Sequence, residues 1–262
     1  MNTSLLYQTP TAFIIISLFA LMLLFNWIGF NIHKRQITKN SVSPTDGLGP
    51  VEGSLLGLLA LLLSFTFGMS ASRYDNRRQA IVAEANDIGT AVLRCDLYPD
   101  SIRKVLRADF KEYVHARVAY YRSGTDAGKN QAAIKDAEKY SGRIWATVME
   151  QAQDKENVLR SQQMIPAVNS VIDSVTTGDS AKNATVPESI LWFLFLLILT
   201  ASLIVGYSSG YKKINHVVVS GFALMTVLTV FLILDLDRPR RGIINTDAAT
   251  QKIIDLQSMF KE

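Results

Sequence analysis

Two pairs of long apolar runs constrain this chain more than any other feature of its sequence. Thr11–Phe30 and Val51–Ser70 form the first pair, and Glu188–Tyr207 and Asn215–Asp235 form the second. A helix rises about 1.5 Å per residue and the hydrocarbon core of a bilayer is roughly 30 Å thick, so each run is long enough to cross a membrane once. The sequence therefore predicts four transmembrane spans, with both chain ends on one side.

These spans divide the chain into four predicted segments. Residues 1–70 and 187–236 are expected to form transmembrane hairpins, residues 71–186 a soluble helical domain, and residues 237–262 a C-terminal segment. The predicted fold class is all-α, with four transmembrane helices and a cytoplasmic helical domain inserted between spans two and three. We place that domain in the cytoplasm because Lys and Arg are more numerous beside the spans on its side. A multi-pass protein of the plasma membrane is expected.

Composition excludes several classes of function. Cys95 is the only cysteine, so an internal disulfide and a cysteine-based metal cage are excluded. The three histidines, His33, His115 and His216, lack the spacing of a metal site or a catalytic triad. The net charge is +4, but the basic residues cluster beside the spans, where lipid headgroups lie, so nucleic acid is not an expected partner. No cofactor and no metal are expected.

Turn-forming residues set the expected helix ends. Asn31–Pro50 contains two prolines and two glycines and is predicted to be an external loop. No helix breaker follows span two until Pro99, so one helix is expected to run from the membrane to about Leu97. Three more helices are expected: from Asp100 to about Gly124, from about Asn130 to Gln153, and from about Asn157 to Val175 with an interruption at Pro166, before a polar linker at Thr176–Asn183.

Span two carries the most regular pattern of the sequence. Small residues recur there at helical spacing on one stripe, a pattern typical of surfaces where a neighbouring helix backbone comes close. The stripe runs from Gly53 through Gly57, Ala60, Ser64 and Gly68, and the last four are expected to make the close helix contact. Beside them runs an apolar face that includes Leu61, Phe65 and Met69. That face either meets lipid and the other spans, or lines a pore in which rings of these side chains form a dewetting gate.

Charged residues stand where spans two and four end. Arg73, Arg77 and Arg78 follow span two, and Asp235 and Asp237 end span four. One interpretation is headgroup contact and surface ion pairs worth roughly 0.2–1 kcal/mol each. The other is that these groups set the electric field in the vestibule of a pore. A carboxylate after a long apolar run is costly unless it is hydrated or paired, so Asp235 is expected to face protein or a water-filled cavity.

One short motif points to hydrolases by pattern alone. Gly206–Gly210 matches the nucleophile elbow, which requires a strand-to-helix turn in an α/β sheet. Here the motif lies between two apolar runs, so we interpret it as a tight polar turn. Acidic and histidine side chains do not converge at one depth of the spans, and an enzyme that acts on lipid is therefore not expected.

The sequence around the end of span two resembles a known family. The run Ser64–Arg78, the run Glu84–Thr90 and the run Asp235–Pro239 with Gly242 are similar to the bestrophin-like membrane proteins of bacteria. Bestrophins are pentameric channels of four-span subunits, with a helical cytoplasmic domain between spans two and three and a pore lined by span two. The resemblance implies this fold, and it implies residence in the bacterial inner membrane.

The resemblance also implies a hydrophobic neck in span two. By spacing, the neck falls on Leu61 and Phe65, with Met69 or Gly57 as a third ring. Where bestrophins have tryptophans after the neck, this chain has Arg77 and Arg78, so the chemistry of the vestibule differs. Calcium gating is not implied, because only two acids stand where animal bestrophins have a calcium clasp.

The resemblance and the span pattern together predict an ion channel subunit. Its expected partners are the lipid bilayer, inorganic ions and further copies of itself in a homo-oligomer, for which the resemblance implies five copies. The alternative is a membrane scaffold or sensor that does not conduct and binds a partner through its cytoplasmic helices. A ring of subunits around a central axis would favour the channel, and monomers or dimers would favour the scaffold.

Overall fold

Helices account for all the regular structure of the described chain. The computed structural model describes residues 5–40, 49–209, 216–238 and 242–261, and within these ranges no strand is formed. This confirms the predicted all-α class. The α-helices are α1 (Leu5–Gln8), α2 (Thr11–Asn40), α3 (Gly49–Arg94), α4 (Asp100–Arg122), α5 (Ala127–Ala152), α6 (Val158–Asn183), α7 (Glu188–Ser208), α8 (His216–Asp237) and α9 (Asp247–Asp255). The 3-10 helices Cys95–Leu97 and Leu256–Phe260 follow α3 and α9.

Four helical stretches of the described residues are long and apolar enough to cross a membrane. These stretches are Thr11–Gln36, Gly49–Leu97, Val158–Ser208 and His216–Asp237. In the most apolar window of each, less than half of the residues are buried inside the chain. Helices that are apolar on all sides and yet uncovered by their own protein are typical of a lipid environment.

The chain divides into two compact units. Unit one consists of Met1–Arg73 and Thr185–Arg238, and unit two consists of Tyr74–Ala184 and Pro239–Glu262. In unit one, α2 packs along α7 and α8. Its core contains fully buried aliphatic side chains from α7 and α8, together with Met22 of α2 and Leu59 of α3.

Two glycines allow α2 and α7 to approach within backbone contact. A Cβ atom added to Gly29 would lie 2.0 Å from the carbonyl oxygen of Leu203, and one added to Gly206 would lie 2.0 Å from the carbonyl oxygen of Asn26. No side chain fits at either position, so only glycine permits this crossing. The predicted turn at Gly206–Gly210 is wrong for its first residues, because α7 continues to Ser208. Gly206 lies inside the last turns of α7, while Gly210 lies outside the described residues.

Unit two is a helical bundle with a continuous apolar core. Helix α4 packs on α5, and α5 packs on α6. The buried residues of α4 recur at three and four, as its amphipathic sequence requires, and include Leu106, Phe110 and Val114. The chain turns after α4 at Gly124, which has a positive φ of 56°. The Asp126 side chain then caps α5 by accepting a 3.0 Å hydrogen bond from the backbone N–H of Lys129.

Several helices are longer than the sequence analysis predicted. Helix α2 continues ten residues past Phe30 to Asn40, into the segment that was predicted to be a loop. Helix α6 runs without a break through Pro166 and through the predicted linker Thr176–Asn183. Proline removes one backbone donor, a loss of about 3 kcal/mol in a helix interior. The burial of Met164, Ala167 and Val168 around it offsets that loss.

The C-terminal segment is also structured, which the sequence analysis did not predict. Helix α9 and the following 3-10 helix pack on α4. Ala249, Ile253 and Leu256 are buried in the core of unit two. Their spacing of four and three is the signal of an amphipathic helix, and it was present in the sequence.

Candidate functional site

Helix α3 has one face that the other described helices of the chain leave uncovered. On this face the side chain of Leu61 is 52% exposed and that of Phe65 is 62% exposed. The opposite face is covered, since Leu59 and Thr66 are buried and Leu59 belongs to the core of unit one. Two of the three residues predicted to form a gate, Leu61 and Phe65, therefore lie together, one turn apart, on the side of α3 that points away from its own unit.

Met69 lies elsewhere. Its side chain is half-buried and packs against the core of unit one. Gly57, in contrast, is exposed and lies one turn before Leu61, at the same four-residue spacing that separates Leu61 from Phe65. Of the two third rings that the resemblance allowed, the exposed face holds Gly57 and not Met69.

The predicted small-residue stripe lies next to Leu61 and Phe65. Gly57, Ala60, Ser64 and Gly68 are all exposed. A Cβ atom added to Gly57 or to Gly68 would meet no atom of the described residues within 4 Å. Within one chain, close helix approach occurs at Gly29 and Gly206 instead, and the stripe on α3 is left open.

The three arginines after span two do not form one exposed cluster. Arg77 is only 6% exposed and donates to the carbonyl oxygen of Ala184 at 3.4 Å. Arg78 is exposed and pairs with Asp75 at 3.1 Å, so its charge is largely compensated. Arg73 is half-buried. Of the three, only Arg78 is exposed, and their role in the electric field of a vestibule stays a prediction.

The two acids at the end of α8 are buried inside unit one. Asp235 is 3% exposed and Asp237 is fully buried. The Asp237 carboxylate accepts hydrogen bonds of 3.0 and 3.1 Å from the backbone N–H of Val186, and another from the Tyr7 hydroxyl. Within one subunit the Asp237 carboxylate is therefore covered by protein, and its role in a vestibule stays a prediction.

Arg238 holds the beginning of the chain in place beside Asp237. Its guanidinium donates to the carbonyl oxygens of Leu6 and Thr9 at 2.5 and 2.7 Å, and to the Thr11 hydroxyl at 2.9 Å. It also lies over the ring of Tyr7, 5.9 Å from the ring centre. Charge-assisted bonds of this kind are strong and directional. The end of α8 is therefore an anchor for α1 and the start of α2.

Unit two contains one buried ion pair with a third partner. Glu84 accepts two hydrogen bonds from the Arg117 guanidinium, at 2.5 and 3.0 Å, and one of 2.6 Å from the Tyr121 hydroxyl. Burial alone would lower the pKa of Arg117, but the Glu84 carboxylate more than offsets this and the pKa is raised. Burial, with the Glu84 charge beside it, also raises the pKa of Tyr121. Each of the three side chains makes a hydrogen bond inside the cluster, so we interpret the cluster as stabilising the packing of α3 on α4.

Nothing in the described ranges resembles a metal centre. No group of three or more His, Cys, Asp or Glu side chains is close enough to hold an ion among residues 5–40, 49–209, 216–238 and 242–261. The uncovered face of α3 is accordingly the best candidate for a functional surface.

Comparison with known proteins identifies the family. A family model described as the bestrophin-like domain matches residues 11–250. The chain belongs to the bestrophin-like family. The resemblance that was seen in Ser64–Arg78 and Asp235–Pro239 is thereby confirmed, and with it the assignment to a family of membrane proteins. No match to a curated protein is found.

Solved structures share the fold of this bestrophin-like chain. One is a crystal structure of a bacterial bestrophin homolog from Klebsiella pneumoniae, with 12% sequence identity and a TM-score of 0.67. Another is a crystal structure of a membrane protein, with 11% identity and a TM-score of 0.66. In both cases the similarity covers 93% of this chain and 98% of the other. The likeness extends over almost the whole of each chain.

Proposed function

We propose that this bestrophin-like protein is the subunit of a homo-oligomeric ion channel in which copies of α3 surround the pore. The observation that carries the proposal is the exposure of Leu61 and Phe65 on a face of α3 that the described part of the chain leaves uncovered. Membership of the family and the fold shared with a bacterial bestrophin homolog support it. The resemblance to bestrophins favours five subunits.

Exposure of apolar side chains alone does not favour a pore, because lipid also accepts leucine and phenylalanine. The adjoining small residues supply the second part of the argument. Gly57 and Gly68 gain nothing from contact with lipid, whereas small residues in a span allow another helix to come close. Since no described part of the same chain lies within 4 Å of a Cβ atom added at either position, we assign them to contact with a neighbouring subunit. Leu61 and Phe65, beside that contact, then face the axis of the ring.

In this arrangement Leu61 and Phe65 form two apolar rings, and Gly57 lies at the contact between subunits. A narrow apolar constriction excludes water, and ions cannot pass until the constriction widens or is wetted. These side chains thus form a hydrophobic barrier to ion passage. Such a barrier does not by itself select between anions and cations. We place the protein in the bacterial inner membrane with unit two on the cytoplasmic side, as the Lys and Arg bias favours.

The proposal is tested by current recordings from the purified protein in planar bilayers. Phe65→Ala shortens one ring and should raise the leak current at least severalfold over the unsubstituted channel. Phe13→Ala is the matched control, because Phe13 lies on α2 with 66% of its side chain exposed. Its replacement should leave the current unchanged.

Two outcomes would contradict the proposal. Absence of any current from a correctly assembled protein would remove the channel and favour the membrane scaffold. Equal currents from the unsubstituted protein, the Phe65→Ala variant and the Phe13→Ala variant would remove the gate from α3 while leaving conduction in place.

A further inference from the structure

Past Arg73, α3 presents a stripe of uncharged polar side chains to its surroundings. These residues are Asn76, Gln79, Asn86 and Thr90, with Ala83 between them. All are exposed, and the side chains of the four polar residues make no hydrogen bond within the described part of the chain. Amides and hydroxyls are costly to leave without partners unless water or a solute takes that place. The stripe is therefore built to be in contact with an aqueous phase.

The stripe continues the side of α3 that carries the proposed neck. Gln79 follows Leu61 by eighteen residues, and Ala83 follows Phe65 by the same interval. Eighteen residues are five turns of an α-helix, so each pair lies on the same side of α3. If Leu61 and Phe65 line a pore, this register directs the polar stripe toward the water that enters that pore.

The charged groups near the stripe are compensated or turned away from it. Arg77 and Glu84 are buried, each with a hydrogen-bonding partner inside unit two. Arg78 and Asp75 neutralise each other. Asp87 remains as a half-buried carboxylate whose pKa is raised by burial and by the charge of Glu84. Arg73 is half-buried and, twelve residues after Leu61, lies roughly 120° away from it around the helix axis. Most of the fixed charge in this part of α3 is therefore paired, buried or away from the stripe.

Building on the proposed channel function, we propose that Asn76, Gln79, Asn86 and Thr90 line the ion path past the neck and solvate permeating ions with neutral groups. An amide offers a carbonyl acceptor to cations and an N–H donor to anions, and a hydroxyl does both. Neutral groups bind ions weakly enough to release them. The path therefore admits small inorganic ions of both signs, and the arginines after span two do not select anions.

The reversal potential of the purified protein in a tenfold KCl gradient tests this directly. Perfect selection of one monovalent ion corresponds to about 59 mV for a tenfold gradient, and the unsubstituted channel should reverse well below half of that value. Gln79→Glu and Asn86→Asp each add a carboxylate per subunit and should move the reversal potential toward the cation limit. Gln131→Glu is the matched control, because Gln131 is exposed on α5, away from α3. It should have no effect.

A second readout uses cysteine chemistry. Cys95 is the only cysteine and is fully buried, so an introduced thiol reacts against a low background. Asn86→Cys should be blocked to a similar extent by cationic and by anionic methanethiosulfonate reagents added from the side of unit two, and Gln131→Cys should not be blocked.

The outcomes separate the inference from the function on which it rests. A reversal potential near either limit in the unsubstituted channel, or no response to Gln79→Glu, Asn86→Asp and Asn86→Cys, overturns the neutral ion path and leaves the channel intact. Absence of current from the assembled, unsubstituted protein overturns the channel and this inference with it.

Discussion

At the scale of single residues, the Glu84–Arg117 pair is the interaction most sensitive to substitution in unit two. Both side chains are almost completely buried. Removing one partner of a buried pair leaves an uncompensated charge, at a cost of about 3–5 kcal/mol. We therefore expect Glu84→Gln to lower the free energy of unfolding by several kcal/mol. Thermal unfolding in detergent, followed by circular dichroism, measures this.

Two further variants test the reason for that loss. Arg103→Ala removes an exposed pair with Asp100 and should cost less than about 1 kcal/mol. The double variant Glu84→Leu with Arg117→Met removes both charges and should recover a large part of the stability lost in Glu84→Gln. If Arg103→Ala proved as damaging as Glu84→Gln, burial would not be what makes the Glu84 pair important.

Cys95 gives a second prediction at this scale. The thiol is fully buried, and burial raises its pKa to about 12. Only the thiolate reacts readily with maleimides, so the folded protein should remain unlabelled at pH 8 and become fully labelled in denaturant. Mass spectrometry before and after denaturation checks this. Rapid labelling of the folded protein would show that the core of unit two opens easily near the end of α3.

Some contacts of single residues could not be predicted from the sequence. Leu61 and Phe65 are four residues apart, and this local spacing was enough to predict that they share one side of α3. The partners of Asp237 are Tyr7 and Val186, which are 230 and 51 residues away in the sequence. Local spacing does not predict contacts between such distant segments. Burial of Asp237 by distant segments was for that reason not predictable.

At the scale of helices, the same distinction explains which elements were predicted correctly. The uninterrupted path of α3 into unit two followed from the absence of a strong helix breaker between span two and Pro99 and from apolar residues at helical spacing. Helix α6 was divided in the prediction because Pro166 is a strong local signal against a helix. Packing of the residues around it in the core of unit two decided the outcome, and that information is not local.

The crossing of α2 and α7 leads to a prediction about glycine. Gly206→Ala places a methyl group where the carbonyl oxygen of Asn26 lies, so the helices must separate and their packing is lost. Overpacking typically costs about 1–3 kcal/mol, and we expect a loss of at least that size. Gly53→Ala is the control, because Gly53 lies in a span and nothing stands within 4 Å of the added atom.

Thermal stability of the two variants in the same detergent provides the comparison. Gly206→Ala should unfold at a clearly lower temperature than the unsubstituted protein, and Gly53→Ala should unfold at the same temperature or slightly higher. Equal stability of the two variants would mean that α2 and α7 do not depend on close contact at Gly206.

At the scale of the whole molecule, composition and apolar periodicity were sufficient to predict the all-α class. The cost of leaving backbone groups without partners in lipid allows only helices or closed barrels in a membrane, and apolar runs of this length select helices. What the sequence of one chain does not contain is the arrangement of several chains. The open stripe on α3 is the observation that bears on it.

The small-residue stripe of α3 predicts how assembly of the subunits responds to a larger side chain. Gly57→Leu adds a large side chain where a neighbouring copy of α3 is proposed to approach, and no described atom of the same chain lies within 4 Å of the added Cβ atom. The subunit should therefore fold normally while association weakens by at least tenfold, or about 1.4 kcal/mol.

Gly221→Leu is the matched control, because Gly221 is an exposed glycine of α8 with no described atom within 4 Å of an added Cβ atom. Light scattering in detergent measures the mass of each particle. A loss of mass in Gly57→Leu alone supports α3 as the contact between subunits, since both variants add the same side chain to an open position in a span. Equal masses for the two variants would place that contact on another helix.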